Sequence, residues 1–133
     1  MKAIAIKVKN IDTIDKNYIF AETNCGERVF VHRKNFFDPI DGSVFFLKRP
    51  TYNIATHEVA ILTKDQLVHQ YHTLYAIVES GEKGLFATNI HLTKKGFIKS
   101  LKKHYNLSEF ENSDIIAEAR QQLDNDRWSR MLN

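Results

Sequence analysis

From Ala3 to Thr93 aliphatic and polar residues mix in short runs broken by turn residues, with strand-like alternation in the second half of AIAIKVKNI and in RVFVHR. That period belongs to strands that bury one face. The runs fall at 3–11 (AIAIKVKNI), 17–23 (NYIFAET), 28–33 (RVFVHR), 43–48 and 57–63 (HEVAILT), and 75–93 holds two more around SGEKG. Asn24-Cys25-Gly26-Glu27 has the residues of a tight hairpin turn, so the second and third runs are expected to pair. Pro39 and Gly42 mark a turn before the fourth run. Between 64 and 75 the spacing of Leu67, Tyr71, Leu74 and Tyr75 predicts a short helix.

After Thr93 the period lengthens. KKGFIKSLKKHYNLS predicts a basic amphipathic helix with Phe97, Ile98 and Leu101 on its apolar side. Ser108 and Glu111 have the spacing of a capping box. A longer helix is expected from Asp114 to Met131, with Ile115, Ile116, Ala119, Leu123 and Trp128 as its adhesive side. The pattern therefore predicts a mainly β chain with some helix: a small β-barrel over 1–93, with a helical insertion at about 64–75, and a helical extension over 94–133.

Each strand of the second–third pair has two chemically different faces. Ile19 and Ala21 oppose Tyr18 and Phe20, while Val29 and Val31 oppose Phe30 and His32. A small barrel has one interior, and the aliphatic faces are suited to fill it. Tyr18, Phe20, Phe30 and His32 are then left as an outward platform on which bases can stack. Lys7, Lys9, Lys16, Arg28, Arg33, Lys34 and Lys48 lie on or around these strands and can meet phosphates. The competing reading is structural. Aromatic pairs also stabilise a hairpin across its strands, and the C-terminal helices can cover that face.

Lys16-Asn17-Tyr18-Ile19-Phe20-Ala21 resembles the first ribonucleoprotein motif of cold-shock domains, in which a lysine precedes two aromatics separated by glycine. Val29-Phe30-Val31-His32 resembles the second motif, at the expected separation. Lys83-Gly84-Leu85-Phe86-Ala87-Thr88-Asn89-Ile90 is similar to the last-strand segment of that family. The likeness spans about 5–49 and 76–93. Asn17 and Ile19 stand where the family has glycines, and Asn10 and Ile11 where it has a Trp-Phe pair. The resemblance implies a five-stranded OB-type barrel that binds single-stranded RNA or DNA. Tyr18, Phe20, Phe30 and His32 would stack on bases, and Lys16 would lie close to the backbone. A helix between the third and fourth barrel strands is ordinary in broader OB-folds.

Composition adds direction. The net charge is +3, but residues 1–103 hold 16 Lys or Arg against 10 Asp or Glu, whereas 104–133 hold three against six. The barrel is thus the better place for an anionic partner. KKGFIKSLKK can also touch phosphate or an acidic surface, and the last helix offers a seam for a homodimer or a protein partner. A protein-interaction module, or a phage or mobile-element accessory protein, is the alternative to nucleic-acid binding. The lone Cys25 excludes an intrachain disulfide and fits a reducing, cytoplasmic setting. MKAIAIKVKN alternates and meets charges too soon to read as a signal peptide, and no run of 18 apolar residues occurs, so neither a leader nor a membrane span is expected.

Among the six histidines only His69 and His72 have a helical ligand spacing. His57 and His91 lie elsewhere, and no local third ligand completes a zinc site. Gly81-Glu82-Lys83-Gly84 reads as a turn, and Asp12, Asp15, Asp38 and Asp41 occupy turn-like stretches. No placed base activates Cys25. Neither an enzyme, a metal nor a cofactor is expected.

Overall fold

The computed structural model describes residues 1–13, 16–36, 44–47, 60–63 and 69–132. Strand alternation decides what lies inside it. β1 (Lys2–Asn10), β2 (Tyr18–Glu22) and β3 (Arg28–His32) form an antiparallel meander. β4 (Val44–Leu47) and β5 (Ala60–Thr63) form a separate two-stranded parallel sheet. β6 (Thr73–Gly81) and β7 (Gly84–His91) form a second hairpin. The barrel closes in the order β1-β2-β3-β7-β6, with β6 antiparallel to β1 and β3 parallel to β7. This is a five-stranded OB-type barrel with a helical extension.

Ile6, Ile19, Ala21, Val29, Val31, Leu74, Ala76, Val78, Ala87 and Ile90 fill the interior, and Phe36 plugs it. Burying each large aliphatic side chain contributes about 1.5–3 kcal/mol. Every second residue of a strand points this way, so the residues between them form the outer surface. The β2–β3 turn depends on Gly26 at φ +84, a left-handed conformation that costs glycine little. Thr23 closes the turn, its Oγ1 accepting the Glu27 backbone N–H at 3.2 Å.

The helices α1 (Lys94–His104) and α2 (Asp114–Leu132) build a second core outside the barrel. Phe97, Ile98 and Leu101 of α1 and Ile115, Ile116 and Ala119 of α2 close over Ala3 of β1 and Ile77 of β6. Leu107 and Phe110 from the connecting segment join them. Thr93 caps α1 by accepting the Gly96 N–H at 3.1 Å. Ser113 starts α2 by accepting the Ile116 N–H at 3.2 Å, and its hydroxyl donates to the Ala3 carbonyl at 2.9 Å. One side chain thus caps the helix and ties it to β1.

Four expectations change. The expected helical insertion ends early: residues 64–68 lie outside the described residues, His69 is helical, and 73–75 belong to β6. Leu74 and Tyr75 satisfy helical spacing and strand alternation at once, and the barrel takes Leu74 inward beside Ala76 and Val78. Ser108 does not open α2. It lies in the 3-10 turn Leu107–Glu109, capped by Asn106, because chain reversal between the helices consumes those residues. The fourth run forms β4, but it pairs with β5 outside the barrel. Finally, the apolar stripe of α2 is seated only over its first half. Leu123 and Trp128 are exposed, Trp128 by 62%.

Candidate nucleic-acid interface

The outward residues of β2 and β3 meet pairwise. Tyr18 faces His32, Phe20 faces Phe30, and Glu22 faces Arg28 in an unbroken antiparallel register. The rings pack edge to face or tilted: Tyr18 to Phe20 at 5.7 Å, Tyr18 to Phe30 at 5.2 Å, Phe20 to Phe30 at 5.9 Å and Phe30 to His32 at 6.1 Å. All four side chains remain half-buried, with ring surface open to solvent. The Arg28 guanidinium lies 3.5 Å from the centre of the Phe20 ring, a cation–π contact that places positive charge directly on the platform.

Backbone hydrogen bonds hold one end of this surface. Asn17 adopts φ +72, which asparagine tolerates better than most residues. Its carbonyl accepts the Arg33 N–H at 2.8 Å, and its side-chain Oδ1 accepts from Arg33 Nη1 at 3.3 Å. Thr13 Oγ1 donates to the Tyr18 carbonyl at 2.8 Å. His32 Nδ1 accepts the Lys34 N–H at 3.1 Å, which leaves Nε2 as the ring donor. Burial first, then the charges of Lys34 and Arg33, push the His32 pKa down, which favours the neutral ring.

A third strand extends the platform. The parallel β3–β7 register places Phe86 beside Phe30. Phe20, Arg28, Phe30, Phe86, Leu85 and the Gly81–Gly84 hairpin turn line an open groove of about 850 Å³. A Cβ on Gly81 would come within 3.1 Å of the Phe86 ring, so glycine permits that close approach. Phe86 and Lys83 are absent from the residues that the sequence nominates. The alternation of inward Leu85 and Ala87 around Phe86 was the available signal.

The remaining nominated residues are distributed unevenly. Lys16 and Lys34 are exposed at the Tyr18–His32 end, and Arg28 is exposed at the other. Arg33 is committed in part to Asn17. Lys48 lies outside the described residues. Lys9 reaches Glu22 at 3.9 Å on the flank of the platform.

The helices lie on another part of the barrel. α1 packs on β7 and β6, and α2 packs on β1. Where β7 passes from platform to covered surface, Asn89 takes φ +48 and bonds Ser100 of α1 at 3.2 Å. Asn89 Nδ2 donates to Ser100 Oγ, while His91, buried against Phe97, places Nε2 3.2 Å from Asn89 Oδ1. Burial alone pushes its pKa down to about 4.

His69 and His72 are exposed, and His57 lies outside the described residues. Among the described residues no three His, Cys, Asp or Glu side chains converge. Cys25 is exposed at the β2–β3 turn. Among the described residues no helix is long and apolar enough to cross a membrane. Compared with protein-family models and with curated proteins, the chain matches none.

Proposed function

We propose that this protein binds single-stranded RNA or DNA, without catalysis, on the outer face of β2, β3 and β7. The supporting observation is the cluster of Tyr18, Phe20, Phe30 and His32, open to solvent, joined by Phe86 and carrying Arg28 on the Phe20 ring. Each stacked base contributes about 1–3 kcal/mol with little regard to identity. Paired bases keep their faces inside the duplex, so a stacking surface selects unpaired strands. Lys16 and Lys34 at one end, with Arg28 and Lys83 at the other, bracket the rings with cations suited to the backbone. The likeness of the β2 and β3 segments to cold-shock motifs supports the same reading.

The test is fluorescence anisotropy of a labelled mixed-sequence oligonucleotide of about 12 residues, the upper part of the range that one such fold covers. RNA and DNA are each titrated at low and at physiological salt. The wild type binds at micromolar concentration or tighter, and affinity falls as salt rises. The double variant Phe30→Ala/His32→Ala stays folded and loses at least about tenfold, the value of one stack. Absence of wild-type binding at low salt overturns the proposal.

A further inference from the structure

α1 divides its lysines into two sets. Lys94 and Lys102 turn toward α2. Lys94 meets Glu118 at 2.7 Å, while Lys102 meets Asp126 at 3.5 Å and donates to Gln122 Oε1 at 2.9 Å. Lys95, Lys99 and Lys103 are exposed, and none of them forms an ion pair with a described residue. They stand four residues apart, so they form one ridge that advances about 6 Å at each step.

Helix physics does not favour this ridge. Lys95 occupies the first turn, where the helix dipole repels a cation, and that turn contains no acidic residue. Lys94 is in the same turn, but Glu118 offsets it. Like charges at four-residue spacing destabilise a helix, and the ridge contains two such pairs. Only Lys103, in the last turn, is placed well for the dipole. The opposite side of α1 is locked into the second core through Phe97, Ile98 and Leu101, so the ridge is held rigidly.

The helix that carries it continues from a platform strand. The same strand, β7, carries Phe86 beside Phe30 and ends at His91, three residues before α1 begins. Phe86 and His91 are five residues apart, about 16 Å of strand.

We propose that Lys95, Lys99 and Lys103 form a phosphate track for the part of a bound single strand that runs past the stacking face. This inference rests on the nucleic-acid reading above. Three ammonium groups at regular steps along a rigid ridge match the repeat of an extended phosphate backbone. Lysine serves here as a point charge, so the track adds affinity and length dependence without base selection.

The experiment compares a hexanucleotide, which the platform alone accommodates, with an oligonucleotide of about 18 residues that extends beyond one fold's footprint. For Lys95→Gln/Lys99→Gln/Lys103→Gln, hexanucleotide affinity stays within about twofold of wild type. Affinity for the longer strand falls about tenfold, and the slope of log K against log salt becomes shallower by about 2, or roughly 0.7 for each phosphate no longer neutralised. The corresponding Lys→Arg triple variant retains wild-type binding. Since the glutamines relieve like-charge repulsion, the melting temperature holds or rises. Lys99→Glu alone, in the middle of the ridge, also weakens the longer strand selectively. Wild-type affinity and salt slope in the glutamine variant on the longer strand overturn the track while leaving the platform standing. A wild type that binds neither length removes both.

Discussion

The barrel carries two unlike outer faces. Over β1 and β6 the outward residues are Ala3, Tyr75 and Ile77, and two helices close on them. Over β2, β3 and the start of β7 they are Tyr18, Phe20, Phe30, His32 and Phe86, and these keep ring surface in solvent. Both faces are apolar and both strand pairs are antiparallel. They differ in shape and in partners. Ala3 and Ile77 admit helix side chains at close packing, with Tyr75 at the margin, whereas the rings of the other face present flat area beside cations. One face therefore contributes stability, and the other is free to contribute binding.

The largest expected effect breaks the covered face. Phe97 is fully buried between α1 and the barrel, so Phe97→Ala costs about 3–5 kcal/mol in urea unfolding. At a temperature where the variant is still folded, oligonucleotide affinity stays at the wild-type level. If affinity falls with stability, the two faces are not independent.

A pH series sharpens the contrast between the two histidines. The folded state holds His91 at about 4, against an ordinary value of 6.5. The neutral ring is favoured on folding, so its contribution is complete above pH 6.5. It is lost as pH falls toward 4, because the unfolded chain takes up the proton first. The loss approaches about 3 kcal/mol in denaturation measured at pH 7 and pH 4. His91→Gln flattens this dependence. His32 is also pushed down, but it stands on the open face, and His32→Gln leaves most of the acid loss in place.

The smallest effect concerns the tie between the α2 cap and β1. Ser113→Ala removes both the cap and the bond to the Ala3 carbonyl, and costs about 1–2 kcal/mol in the same unfolding assay. Binding is unchanged. A cost near zero would mean that water replaces both bonds.

Much of the platform was legible along the chain. In β2 and β3 the signal is local: residues two apart share a face, and a glycine turn joins the two runs. That is enough to put Ile19, Ala21, Val29 and Val31 inside and the rings outside. Other features were not legible for identifiable reasons. Leu74 and Tyr75 fit two periods, and only closure of β6 against β1 selected the strand. Arg33 looked like another free cation until the left-handed Asn17 brought its side chain into reach.

The sequence by itself determined which residues must leave water and in what period, because burial of apolar area depends on residue type and spacing alone. It determined that both C-terminal helices carry apolar residues in need of a surface to cover, but not that α2 would seat only its first half. Only the tertiary structure decided which surface. The parallel pairing of β3 with β7 joins segments more than fifty residues apart and brings Phe86 to Phe30. Closure of β6 on β1 brings Ile77 to Ala3 and offers the helices a smooth aliphatic seat. Both events depend on chain closure over long loops, a global balance of entropy and packing that no local pattern encodes.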